Sequence, residues 1–408
     1  MRACHALLAA TLAVAVLLVP VGAATTAGAP AVQQTPTPQV DDGAPPDRPV
    51  EVLTLADDDA NRSATRETTL DVGPAVGAAT DAAGHELRTI RALARVRGAD
   101  DPDAALSREF DRIGARAAGL GRQQRSALQA FADGEADART TLLVLARVDR
   151  AARALENRRE RVVTTARGEG ATVPSERSVA LARELGVYTG PVRSQVAAAL
   201  SGAEPPARVY VSTTPRGVTL AALTESGYVR ETYRGDLRRV DDASLTRSAA
   251  RDAVAAAYPS LWRVRSAVDV DPARVSTVRM TYDGGELAAT VGSRNRRVFR
   301  DAHRQSLGVA GTDRQAVNTR DGFRLVVNRS YAGGPMRIQL RTVDGDPVAA
   351  DLTIGPEGGE SSPVGTTGPD GERWLLTPDE RFTLVAIRGN TVVFITMDPL
   401  AAPRTERP

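Results

Sequence analysis

Lysine is absent from all 408 residues, and cysteine occurs once, at Cys4. Histidine occurs three times, and beyond the leader described below only His85 and His303 remain. All 52 basic residues are therefore arginine. Lysine and histidine supply most proton-shuttling side chains, and cysteine and histidine bind most transition metals. A Ser-Lys dyad is excluded, and a histidine-based triad would have to use His85 or His303. Without a cysteine beyond the leader, no disulfide can staple the domains, so stability must come from buried area. Aromatic residues are 4% of the chain, too few for the stacking platforms of a nucleic-acid binder. A field of one sign is also missing: 52 arginines face 50 acids, finely interleaved as in Arg158-Arg159-Glu160-Arg161.

What is present begins with Arg2 and an apolar run from Ala6 to Val21, followed by Gly22, Ala23 and Ala24. This order describes a secretory signal over 1–24, cleaved after Ala23 or Ala24, with an uncleaved anchor as the competing reading. Residues 25–49 carry Pro30, Pro36, Pro38, Pro45, Pro46 and Pro49, and read as a disordered tether. Asn61-Arg62-Ser63 and Asn328-Arg329-Ser330 fit the N-glycosylation triplet, which makes Asn61 and Asn328 candidate acceptors in an exported chain. Asp57-Asp58-Asp59 ends a β-prone run, Val50 to Leu55, and lacks the spacing of a calcium loop.

A helical domain is expected over 50–202. Ala83, Leu87, Ile90 and Ala94 share one helical face and are assigned to the core. Asp101-Pro102 opens a second helix, with Leu106, Phe110, Ile113, Ala117, Leu120, Leu128 and Phe131 as its stripe. After Asp133-Gly134, Asp137 caps a third helix carrying Leu142, Leu145, Val148, Ala152, Leu155 and Val162. A short break between two such stripes predicts an antiparallel, coiled-coil-like hairpin. Two shorter helices, 175–185 and 191–200, complete the bundle. From residue 207 the period falls to two, which predicts strands over 207–310 around a single helix from Leu245 to Tyr258. Short strands between Asp-Gly and Gly-Asn turns predict a β-sandwich over 317–400, with 401–408 as a disordered tail. The fold class is thus multidomain α+β.

Three resemblances follow from particular residues. Val343-Asp344-Gly345-Asp346-Pro347-Val348, Gly365-Thr366-Thr367-Gly368-Pro369-Asp370-Gly371 and Phe382-Thr383-Leu384-Val385-Ala386 resemble the prealbumin-like, carboxypeptidase-regulatory β-sandwich, which implies a non-catalytic adhesion module. The Leu245–Tyr258 helix with Arg296-Arg297-Val298-Phe299-Arg300 resembles a PepSY or cystatin-like unit. Over its whole length, with Leu70 to Gly77 and Tyr228 to Leu237 as the prompting stretches, the chain is similar to an uncharacterised family of exported haloarchaeal proteins. That likeness implies location and architecture and no catalytic residue.

The reading is an exported cell-surface protein that binds or organises something without catalysis. Its expected partner is an envelope or surface protein, with no nucleic acid, no cofactor and no metal. Membrane contact is expected only through the N-terminal segment if it is retained, and the oligomeric state is not legible. A modulator of secreted peptidases or of envelope assembly, acting through the PepSY/cystatin-like unit, is the second reading. A hydrolase using a carboxylate pair is the third. His85, beside Glu86, and His303, in the polar run Arg300-Asp301-Ala302-His303-Arg304, are both read as solvent-facing.

Overall fold

A computed structural model describes residues 39–40, 50–56, 62–68, 72–225, 227–241, 243–308 and 314–405. The leader, its cleavage sites, most of the tether, the Asp57–Asp59 run and Asn61 lie outside these residues. Five helices come first: α1 (Val72–Arg97), α2 (Pro102–Ala132), α3 (Ala138–Gly168), α4 (Ser175–Gly186) and α5 (Pro191–Ser201). Asp101 accepts a hydrogen bond from Ala104 N at 3.0 Å and Asp137 one from Thr140 N at 2.7 Å, so both long helices start where a short acidic side chain satisfies a free backbone amide. Gly134, at φ 79°, turns the chain between them. Leu106 and Phe110 of α2 pack on Val162, Val163 and Ala166 of α3, while Ile113 and Ala117 meet Val148, Ala152 and Leu155. The start of one helix meets the end of the other, which makes an antiparallel hairpin.

The expected inner face of α1 is its outer one. Leu87 and Ile90 are 55% and 50% exposed, while Thr89, Ala92, Leu93 and Val96 are buried against the hairpin. Helix α1 carries two apolar stripes, and the hairpin takes the one that brings Leu93 and Val96 onto Leu106, Phe110 and Val162.

The centre is one antiparallel sheet of eight strands. Its members are β2 (Arg62–Thr68), β3 (Ala207–Thr214), β4 (Gly217–Thr224), β5 (Gly227–Arg234), β6 (Arg265–Asp271), β7 (Val275–Tyr282), β8 (Gly285–Gly292) and β9 (Val298–Gln305). The order is β2-β3-β4-β5-β9-β8-β7-β6. Strand β2 comes from the stretch assigned to the helical domain. Its sequence, RSATRET, has no apolar alternation to read, and it joins the sheet edge through backbone pairing with β3. The run Val50–Leu55 forms no strand; Val52 makes an isolated parallel bridge to Arg404, and Leu53 packs in the core under α6. The single helix expected from Leu245 to Tyr258 is α6 (Arg247–Ala257), capped by Thr246, with Pro259 opening a further short helix, α7 (Pro259–Val264).

Residues paired across the strands share a face, and the two faces have different covers. On one, Val209, Val211, Leu220, Ala222 and Val229 form a common core with Leu128, Phe131, Leu142, Val192 and Val196 of α2, α3 and α5. On the other, α6 lies over Val278, Met280, Leu287 and Ala289. Beyond this sheet, β10 (Arg314–Arg320), β11 (Phe323–Arg329), β12 (Pro335–Thr342), β13 (Asp351–Pro356), β14 (Ser362–Thr366), β15 (Glu372–Leu376), β16 (Phe382–Arg388) and β17 (Thr391–Met397) build a sandwich, with a two-residue strand β1 (Gln39–Val40) added beside β10. Its core is separate, around Leu325, Met336, Ile338, Leu384 and Ile395. It meets the central sheet where Leu376 packs on Tyr210, Ala221 and Tyr228, and the Tyr228 hydroxyl donates to Gly333 O at 3.0 Å. Among the described residues no helix is long and apolar enough to cross a membrane.

Candidate functional site

Strand β9 lies between β5 and β8, and its alternation sends two sets of side chains to opposite faces. Asp301 and His303 enter the core beneath α6 and are 0% and 1% exposed. This corrects the solvent-facing reading of His303: a polar run in a central strand has one face that must be buried. His303 Nε2 lies 3.0 Å from Asp301 Oδ2, and the same oxygen accepts from Leu53 N at 2.8 Å and from the Tyr258 hydroxyl at 3.2 Å. Arg230 of β5 sits 3.7 Å from Asp301 Oδ1 and donates to Leu53 O at 2.8 Å. Burial alone would raise the Asp301 carboxyl, but His303, Arg230 and the Leu53 amide outweigh it and hold the group below the usual carboxylate range. Burial pushes the Tyr258 hydroxyl well up, and the Asp301 charge adds to that. The cluster ties the segment at Leu53 to the sheet. Among the described residues no serine, threonine or cysteine hydrogen-bonds His303; its partner is the Asp301 carboxylate.

The opposite face of the same strands opens a cleft of about 260 Å³ beneath the α4–α5 elbow. Five guanidiniums line it: Arg153 of α3, Arg183 of α4, Arg279 of β7, and Arg300 and Arg304 of β9. Four carboxylates answer four of them. Asp149 pairs with Arg153 at 2.9 Å, Asp271 with Arg279 at 2.7 Å and Arg183 at 2.9 Å, Asp269 with Arg279 at 3.8 Å, and Glu286 with Arg304 at 3.1 Å. Arg300 has no carboxylate partner among the described residues; it donates to Thr189 O. Burial pulls its guanidinium below the usual arginine range, although Glu231 lies on the same face. The Nε of Arg183 is buried with no hydrogen-bond partner.

Two buried acids brace the elbow above the cleft. Glu231 of β5 accepts from Arg193 Nε at 2.8 Å and from Val192 N at 3.2 Å, while Asp149 accepts from Gly190 N at 2.8 Å. The N-terminus of α5 is thereby filled by carboxylates of the protein itself. A Cβ on Gly190 would lie 1.8 Å from Glu231 Oε2, so only glycine allows this approach.

The remaining sequence candidates are scattered. His85 is half-buried in a groove between α1 and α3, lined also by Asp81, Thr89, Arg147 and Asn157, so it is less solvent-facing than its neighbour Glu86 suggested. Burial and Arg88 hold its imidazole below the ordinary value. Asn328 is half-buried in β11, paired with Gln315 and Arg337, and Ser330 of its triplet is buried with its hydroxyl on Pro335 O. Among the described residues, no three acidic, histidine or cysteine side chains gather as a metal site would require. Sequence reasoning missed Arg300 and the cleft. The available signal was the alternation Arg300, Ala302, Arg304 against Asp301, His303, Gln305, which a central strand separates onto two faces.

Residues 1–205, half of the chain, match a family model described as a domain of unknown function (DUF7096). The chain belongs to the DUF7096 family. Beyond this DUF7096 region, residues 209–310 match a family of unknown function (DUF7094). Residues 314–395 match an archaeal fibronectin-III type-like domain. The C-terminal sandwich is therefore similar to archaeal fibronectin-III type domains, a different type from the prealbumin-like one that its turn motifs resemble. No curated protein and no solved structure matches the chain.

Proposed function

We propose that the chain is an exported protein that acts at the cell surface by contact with an envelope or surface partner and not by catalysis. The observation that carries this reading is the outer stripe of α1. Val72, Val76, Leu87 and Ile90 are 71%, 61%, 55% and 50% exposed, and the exposed Ala79, Ala83 and Ala94 complete the same face. An apolar stripe left unburied on an otherwise polar helix surface is what a contact surface needs. The fibronectin-III type-like sandwich supports the same reading, since such modules are commonly spacers and docking units, an argument by analogy of fold. The leader and the Pro-rich stretch of the sequence support export.

The test is fractionation of native cells followed by cross-linking, with wild type beside a Leu87→Asp/Ile90→Asp variant. The expected outcome is an envelope-associated wild type with a specific cross-linked neighbour that the variant loses. A freely diffusing monomer with no neighbour would overturn the proposal.

A further inference from the structure

We infer that the cleft beneath the α4–α5 elbow is a binding site for a single carboxylate group, anchored by Arg300. This goes beyond the surface role and does not depend on it, since it concerns what the folded chain binds in solution.

The argument begins with charge. Five guanidiniums surround the cleft and four carboxylates answer them, which leaves an excess of about one positive charge in a half-enclosed space. The excess is localised on one residue. Arg153, Arg183, Arg279 and Arg304 each have a carboxylate, whereas Arg300 has only the carbonyl of Thr189. A half-buried cation held without a counter-charge costs stability. The fold nevertheless keeps it at the floor of an opening that solvent enters.

Access is the second point. Ala302 and Ala288, paired across β9 and β8, line the cleft next to Arg300. Their methyl groups leave the guanidinium reachable from the opening. On the half of this sheet face covered by the helices, corresponding positions are Val209, Val211, Leu220 and Val229. On the open half they are Thr277, Arg279, Glu286, Thr290, Arg300 and Arg304. The face turns polar where the helices leave it. Arg183 adds a second guanidinium to the lining, where Asp271 holds it.

The ligand class follows from shape and from the rim. A guanidinium presents a planar fork that matches a planar two-oxygen acceptor. Glu286 lines the cleft, and Asp271 pairs with two of its arginines; both repel a doubly charged group, so a monoanionic carboxylate is favoured over a phosphate dianion. A free small acid and a side-chain carboxylate on a peptide offer the same chemistry.

The test is an NMR titration of the arginine Nε–H signals of the whole protein at constant ionic strength. The probes are sodium acetate, N-acetyl-glutamate amide and inorganic phosphate, against a sodium chloride baseline. Saturable shifts of Arg300 and Arg183 with acetate, with the glutamate derivative, or with both are expected, and phosphate should bind several-fold more weakly. Response to acetate would identify a site open to free acids; response to the glutamate derivative alone would identify one that reads a peptide side chain. Arg300→Gln should weaken binding about tenfold or more. Should that variant fold poorly, Ala302→Leu keeps every charge and fills the floor, and it should abolish the shifts. Shifts no larger than those from chloride, phosphate binding as tight as carboxylate, or full binding by Ala302→Leu would each overturn the assignment.

Discussion

Single residues decide more in this protein than its even charge balance suggests. Glu109 of α2 is buried in the hairpin, where it accepts from Arg95 Nε at 2.9 Å and also binds Arg112 and Arg158. Burial pushes its carboxyl up, and the hydrogen bonds and charges of Arg158 and Arg95 more than reverse this, so it titrates below the usual glutamate range. A folded-state pKa below the unfolded one contributes stability above the unfolded value, near 4.3. That contribution is lost as the pH falls through the folded value. Glu109→Gln should therefore lower stability in urea at pH 7 by about 3 kcal/mol, the low end for a broken buried pair because Arg95 and Arg112 reach solvent. The variant should also lose less stability than wild type between pH 6 and pH 3; equal losses would show that the network does not carry the effect. Asp301→Asn should cost several kcal/mol by the same reasoning, since Arg230 would be left buried with no counter-charge. Tyr258→Phe removes one hydrogen bond of the same cluster and should cost about 1 kcal/mol.

At the scale of elements, α1 shows where periodicity is informative and where it is not. The Ala83, Leu87, Ile90, Ala94 stripe and the Thr89, Ala92, Leu93, Val96 stripe both repeat at helical spacing. Spacing alone could not say which one the hairpin would take. Leu93→Ala should cost about 2–5 kcal/mol and Leu87→Ala less than about 0.5 kcal/mol, measured by chemical unfolding. Equal costs would contradict the observed orientation. The α2–α3 hairpin was legible because caps, stripes and break agree at Asp101, Gly134 and Asp137. Strand β2 was not, because an edge strand held by backbone bonds needs no apolar pattern. The α4–α5 elbow depends on Gly190. Gly190→Ala should destabilise by several kcal/mol, since Glu231 is pinned by Arg193 and cannot withdraw without leaving a buried cation unpaired.

For the whole molecule, the division of the core matters more than the division of the sequence. Helices α2, α3 and α5 share one core with β3, β4 and β5, so the change of period near residue 207 does not divide the core. The sandwich keeps a core of its own and touches the sheet through Tyr210, Tyr228 and Leu376. Native-state hydrogen exchange in rising urea should show the amides of Leu142 in α3 and Leu220 in β4 losing protection together. Amides of Ile338 and Leu384 should open at a different urea concentration. Separate openings of Leu142 and Leu220 would show that bundle and sheet are distinct units.

The order of helices, strands and sandwich follows from the sequence by itself, because caps, Gly and Pro punctuation and a period changing near residue 207 act between neighbours in the chain. So does the scarcity of lysine, histidine and cysteine, which is a matter of composition. Only the tertiary structure decided that Asp301 and His303 are buried, that α1 turns Leu87 outward, and that five arginines from α3, α4, β7 and β9 surround one opening. These facts depend on which surface each element meets. Arg153 and Arg300 are far apart in sequence, and nothing local to either encodes the other's position.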